Sequence, residues 1–171
     1  MTAVLPIIRD LPERISERIS ERIVELRRAR RADCERVWEW NFAPDVRALS
    51  KDERVVTYAE HERWFERKLA DLTSRMWIVE DDCVAAGVVR IDRIDPLERG
   101  AGRISIALGS RSRGRGVGRR AIGAACAAWN APVVAEIRTD NQASRSAFEA
   151  AGFELVTEAD GLTTYRWEPG R

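Results

Sequence analysis

Apolar positions along the chain recur at one of two spacings, and each change of spacing marks an element. Residues 13–24, ERISERISERIV, repeat a four-residue unit. Ile15, Ile19 and Ile23 therefore fall on one narrow stripe of a helix. Residues 1–22 read as an N-terminal extension, either a contact between copies or a loosely held terminus, and 23–171 as one domain. IVELRRAR alternates as a first strand, and ADCERVWEW has helical spacing with Val37, Trp38 and Trp40 for burial. FAPDVRALS is a turn-rich connection. TYAEHERWFERKLADL follows, with a Thr57/Glu60 capping box and Tyr58, His61, Phe65, Leu69 and Leu72 at helical spacing. RMWIVEDDCVAAGVVRIDRID is a hairpin turning near Asp81-Asp82. In GRISIALG the alternation is strict, with Ile104, Ile106 and Leu108 on one face and Ser105 and Ala107 on the other. A glycine-rich stretch, an alanine-rich helix, the strand PVVAEIRTD and the helix NQASRSAFEAAG come next. The last helix is ended by Gly152 as a left-handed cap, and a final hairpin turns at Asp160-Gly161. The predicted order is β-α-α-β-β-β-α-β-α-β-β, one α/β domain.

Charge narrows the functions open to such a domain. Lys and Arg number 29 against 28 Asp and Glu, a formal net charge of +1. A dedicated nucleic-acid binder carries a basic excess across the domain, so no nucleic-acid partner is expected. The three cysteines, Cys34, Cys83 and Cys126, are far apart, and His61 is the only histidine. That argues against a zinc site or a disulfide framework and for a reducing compartment. No metal is expected. No apolar run approaches the ~20 residues that span a bilayer, and the N-terminus turns charged too early for a signal peptide. No membrane association and a cytoplasmic location are the expectation.

RSRGRGVGRR, residues 111–120, carries five arginines and three glycines between an alternating strand and a helix. A strand entering a helix through glycines leaves N–H groups unpaired at the helix N-terminus, where they and the helix dipole attract phosphate. Gly114, Gly116 and Gly118 let an anion approach the backbone, and Arg113 and Arg115 add charge. A Walker loop is excluded, because residues 116–120 are Gly-Val-Gly-Arg-Arg. The dinucleotide fingerprint fits poorly, since the spacing is wrong and the stretch lies in the second half of the chain.

Arg113-Gly114-Arg115-Gly116-Val117-Gly118 resembles the pyrophosphate-binding motif of the GCN5-related N-acetyltransferases (GNAT). DNQASRSAFEAAGF, residues 140–153, resembles that family's Asn-led helix and Gly-Phe segment, and the likeness runs over roughly residues 24–168. It implies an α/β fold of the GNAT (acyl-CoA N-acyltransferase) type: a mixed, mostly antiparallel central sheet flanked by helices, with strands splayed around acetyl-CoA. It also implies an acetyl transfer to an amine. Backbone groups of Ile106, Ala107 and Leu108 would polarise the thioester carbonyl, as an oxyanion hole does. Arg113, Gly114, Arg115, Gly116, Val117, Gly118 and Arg119 would hold the pyrophosphate, with Asn141, Ser144 and Phe148 along the rest of the cofactor.

Phe148 stands where many members of the family have a tyrosine that protonates the departing thiolate. A thiol of pKa ~8.5 is a tolerable leaving group without that help. A base is still needed, and Glu136 is an acid inside the strand-like VVAEIRT. It is either the base, acting directly or through water, or the partner of Arg138 or another arginine. Ser105 either orients the amine or fills the sheet face.

For the acceptor, Trp40-Asn41, Val46-Arg47 and His61 with Trp64-Phe65 resemble the GNAT subgroup of the pseudaminic acid pathway, which acetylates nucleotide-linked amino sugars. The implied acceptor is the 4-amino group of a UDP-linked amino-dideoxy sugar. Trp40 and Trp77 would offer aromatic faces, Arg47 would pair with diphosphate, Asn41 would read hydroxyls or the amine, and His61 would join them in binding the acceptor. For each tryptophan the competing reading is core. Protein N-terminal or polyamine acetylation, with Asp45, Asp52 and Glu53 serving the latter, and a non-catalytic CoA sensor remain as alternatives. The resemblance also allows a homodimer.

Overall fold

The computed structural model describes residues 23–50, 54–94 and 100–170. The repeat at 13–22 lies outside the described residues. Strand β1 (Val24–Arg28) leads through a single 3-10 turn to helices α1 (Cys34–Asn41), α2 (Pro44–Ala48) and α3 (Tyr58–Ala70). Strands β2 (Ser74–Asp81), β3 (Val84–Arg93) and β4 (Gly102–Leu108) follow, then helix α4 (Val117–Trp129). Strand β5 (Val133–Arg138), helix α5 (Gln142–Ala150) and strands β6 (Glu154–Ala159) and β7 (Leu162–Trp167) complete the order.

The strands form one seven-stranded sheet, in the order β1-β2-β3-β4-β5-β7-β6. Every neighbouring pair is antiparallel except β4 and β5, which are parallel. Parallel neighbours need a long crossover, and α4 provides it. Strand alternation gives the sheet two apolar faces. On one face Val89, Ile91, Ile104, Ala135 and Ile137 pack with Val117, Ala121, Ile122 and Ala125 of α4 and Phe148 of α5. On the other, Met76, Ile78, Val88 and Ala107 pack with Cys34 and Val37 of α1 and Phe65 of α3. Helices α1 and α3 lie over β2, β3 and β4. The β5–β7 half of that second face carries Glu136 opposite Thr164 and Val134 opposite Arg166.

Several local signals act as their chemistry requires. Thr57 Oγ1 accepts from the Glu60 N–H at 3.3 Å while the Glu60 carboxylate accepts from the Thr57 N–H at 2.8 Å, closing the capping box. After α5, Gly152 is left-handed at φ +89, and the Phe153 N–H donates back to the Phe148 carbonyl. The Asp160-Gly161 hairpin turns with both φ values positive.

Two expectations need correction. The turn-rich connection at 42–50 contains helix α2, which Pro44 opens from a position whose N–H has no helical partner in any case. Helix α3 ends at Ala70, so Leu72 leaves the apolar stripe and is 99% exposed. The stop is local: Asp71 Oδ1 accepts from the Thr73 N–H at 2.9 Å and the Thr73 hydroxyl at 2.7 Å, an alternative to continuing the helix.

Candidate acetyl-CoA site

Strands β4 and β5 are paired at only two positions, Gly102↔Val133 and Arg103↔Val134, and then part. Two hydrogen bonds fix which way the β4 backbone faces beyond that point. The Gly102 N–H donates to the Pro132 carbonyl on the β5 side at 2.9 Å, and the Gly109 N–H donates to the Ala86 carbonyl on the β3 side at 2.9 Å. Alternation between them turns the N–H groups of Ile106 and Leu108 into the opening between β4 and β5. Ala107, expected beside them, turns its backbone to β3 and buries its side chain against α1 and α3.

The glycine-rich stretch forms the rim of this opening. Gly114 has φ +68 and Gly116, the N-cap of α4, has φ +75. An added Cβ at either would touch nothing within 4 Å, so the demand for glycine there is one of backbone conformation. The first N–H groups of α4, from Val117, Gly118 and Arg119, have no partner within the helix. A Cβ on Gly118 would lie 3.4 Å from Leu108 Cδ1 and 4.0 Å from Ala147 Cβ, so the first turn of α4 sits against both the end of β4 and α5. The Val117 side chain is fully buried and anchors that turn. Arg119 is exposed, and Arg115 Nη1 donates to the Arg111 carbonyl at 3.1 Å. Arg113, expected on the pyrophosphate, is held within the protein: Nε donates to the Leu108 carbonyl at 2.9 Å and Nη1 pairs with Asp45 of α2.

On the α5 side, Asn141 Oδ1 caps the helix by accepting from the Ser144 N–H at 3.1 Å. Phe148 is buried and meets Phe153 edge to face with ring centroids 5.0 Å apart. Its ring is core. A tyrosine does exist nearby in sequence, but the Tyr165 hydroxyl donates to Glu149 at 2.7 Å and accepts from Arg145 Nε at 3.2 Å. The Cys126 thiol is fully enclosed, and burial pushes it up to about 12.

Glu136 and Ser105 lie on the second face of the sheet, on the two strands that part. Ser105 is exposed, and its cross-strand partner is Arg90. Arg103 reaches across the start of the opening, Nη2 to Glu136 Oε1 at 3.2 Å. The sequence offered Arg138 or another arginine as partner, and it is the other arginine, Arg103, that the structure supplies. Arg138 instead makes a two-pronged ion pair with Asp140, at 3.0 and 2.7 Å. The parallel β4–β5 register brings Arg103 to Glu136, and register between strands 30 residues apart has no local sequence signal.

The five acceptor candidates divide. Trp40 is half-buried, with its Nε1 3.1 Å from where a Cβ on Gly109 would lie, so it stands at the end of β4. Asn41, beside it, is half-buried. Arg47 stacks on Phe42 and donates from Nη2 to the Arg54 carbonyl at 2.9 Å, bracing the segment before α3. His61 and Trp77, by contrast, are core residues. His61 is 2% exposed, surrounded by Trp38, Phe42, Tyr58, Trp64 and Phe65, with Nε2 3.1 Å from the Cys34 carbonyl. Burial pushes its imidazole below the ordinary value. Trp77 is 6% exposed in the core under α4, with Arg28 over its ring.

A parallel strand pair that opens beside a glycine-capped helix, with N–H donors facing the opening, offers donors both to a thioester oxygen and to a pyrophosphate. Residues 24–154 match the family model of the acetyltransferase (GNAT) domain. The chain belongs to that family, and its activity is transfer of an acetyl group from acetyl-CoA to an amine. Solved structures of similar fold include spermidine N-acetyltransferase from Vibrio cholerae in complex with CoA and spermine, with TM-score 0.72 and 18% identity over 84% of this chain and 92% of that one. A ribosomal L7/L12 alpha-N-protein acetyltransferase in complex with CoA gives TM-score 0.72 and 19% identity over 85% and 93%. AAC(6')-Ib in complex with paromomycin and acetyl-CoA gives 0.71 and 18% over 85% and 93%. A search of curated protein sequences finds no significant match. Among the described residues no cluster of His, Cys, Asp and Glu is arranged to hold a metal, and no helix is long and apolar enough to cross a membrane.

Proposed function

We propose that the acceptor is a small polar molecule bearing a primary amine and an anionic group, with the 4-amine of a UDP-linked amino-dideoxy sugar as its leading member. One observation carries this reading. On the sheet face beside the opening, acids are matched by cations: Glu136 with Arg103, Asp92 with Arg90 and Lys68, and Glu168 with Arg166. A polyamine, cationic along its length, is best held by acids in excess, whereas a phosphorylated acceptor draws on arginines. In this reading Trp40, which packs against Gly109 at the end of β4, supplies an aromatic face, the neighbouring Asn41 an amide and Arg47 a guanidinium. His61 and Trp77 have no part in this proposal.

In this scheme Glu136 takes the proton from the attacking amine, directly or through a water. Ser105 orients that amine. The N–H groups of Ile106 and Leu108 receive the charge that develops on the thioester oxygen. The thiolate leaves without a tyrosine donor, since Phe148 is packed away. A reducing cytosol suits the free thiols of Cys34, Cys83 and Cys126.

Thiol release from acetyl-CoA, measured with the UDP-linked amino sugar beside spermidine and N-terminal peptides, tests the proposal. Release with the amino sugar supports it. Release only with spermidine or peptides transfers the assignment to those acceptors, and tight acetyl-CoA binding with no release for any amine indicates a sensor.

A further inference from the structure

Arg113 opens the glycine motif, yet its guanidinium is engaged by the protein itself. It is committed at both ends to protein. Nε donates to the Leu108 carbonyl at 2.9 Å, and Nη1 pairs with Asp45. The Asp45 carboxylate is held in turn, its Oδ1 accepting from the Val46 N–H at 3.0 Å in the first turn of α2.

The peptide these contacts reach is the last of β4. Its carbonyl, from Leu108, is fixed by Arg113, and its N–H, from Gly109, is fixed by the Ala86 carbonyl on β3 at 2.9 Å. A peptide is a rigid plane, so pinning both polar groups sets the direction of the backbone on either side. The N–H of Leu108 lies in the preceding peptide plane, which β3 holds through the pairing of Ala107 with Val88; fixing the Leu108–Gly109 plane as well limits rotation at Leu108 from its other side. Trp40 closes the remaining side by packing on Gly109. Donors to a developing oxyanion are effective when preorganised to within about 0.5 Å.

We infer that Arg113 and Asp45 are a positioning pair for the thioester carbonyl: they hold the Leu108–Gly109 peptide so that the N–H donors of β4 stay aimed into the opening. The pair also ties the acceptor-side helix α2 to the cofactor loop. The Arg113 guanidinium holds the Asp45 carboxyl below the usual carboxylate range, so the pair is charged at neutral pH.

Asp45 separates this role from pyrophosphate binding, because it is an anion and cannot itself favour a phosphate. Asp45→Asn, Asp45→Glu and Arg113→Gln are compared for affinity toward CoA and acetyl-CoA by calorimetry. The carbonyl 13C shift of bound [1-13C]acetyl-CoA is recorded for each variant. Asp45 is more than half exposed, so its replacement leaves the fold intact, and thermal unfolding checks this.

A positioning pair predicts that Asp45→Asn keeps CoA affinity within about twofold, while the bound carbonyl shift moves toward its value in free acetyl-CoA. Preference for acetyl-CoA over CoA falls, Asp45→Glu restores the signal in part, and Arg113→Gln repeats the Asn phenotype. Two results overturn the inference. One is an unchanged carbonyl shift in Asp45→Asn. The other is loss of about tenfold or more in affinity for both ligands with Arg113→Gln while Asp45→Asn binds them more tightly, which assigns Arg113 to the pyrophosphate.

Discussion

Glu136 and His61 show how one residue's role depends on which group faces it. Glu136, on β5 beside the opening, is the proposed base, and its Oε1 lies 3.2 Å from Arg103 Nη2. Glu136→Gln keeps the side-chain shape and removes the base. The expected outcome is a kcat lowered by about 10² or more with acetyl-CoA affinity unchanged, and recovery of rate as pH rises toward the amine's own pKa. Equal rates in both proteins remove Glu136 from the mechanism. His61 is the only histidine in the chain, and burial depresses its folded pKa. The unfolded chain therefore binds that proton more readily than the folded protein. The stability is present in full above the unfolded value of ~6.5 and is lost as pH falls below it. The urea midpoint is expected to fall between pH 7.5 and 5.5, and His61→Gln, which still offers a donor to the Cys34 carbonyl, should flatten that fall. A flat wild-type profile overturns the assignment.

At the scale of an element, the loop and first turn of α4 carry the argument. Gly118→Asp places a carboxylate among N–H groups that await an anion. An acid in the first turn of a helix stabilises the helix by ~0.3–1 kcal/mol, so thermal stability should hold or rise slightly. Acetyl-CoA binding should weaken by about tenfold or more, through repulsion of the pyrophosphate and the approach of Cβ to Leu108. Unchanged affinity in calorimetry removes this turn from the site. Elements such as this one were legible in the sequence because their signals are local. Glycines preceding an alanine-rich helix, a Thr-x-x-Glu box and a Gly-Phe helix end act through backbone geometry within a few residues. Helix α2 was not legible, since five residues around one proline give no periodicity to read. The early stop of α3 at Asp71 was missed because Leu72 continued the apolar spacing that the Asp71–Thr73 turn interrupts.

Across the whole molecule, the functional feature is a defect in an otherwise continuous sheet. Five of the six neighbouring pairs are antiparallel, and the parallel pair separates after two positions. Acetyl-CoA filling the opening should slow amide hydrogen exchange in peptides covering 104–108 and 114–119 and leave the β2–β3 hairpin unchanged. Protection confined to other segments counts against the site. The sequence by itself determined the strand order and every helix but α2, the glycine loop, the two faces of β4 and the absence of a donor at Phe148, because each rests on residue type and short-range spacing. Only the tertiary structure decided that His61 and Trp77 are core, that Arg103 meets Glu136, and that Arg113 turns to Leu108 and Asp45. Those outcomes depend on which strands become neighbours and where they part. That is set by packing between segments tens of residues apart, where the side chain's identity is known but its partner is not.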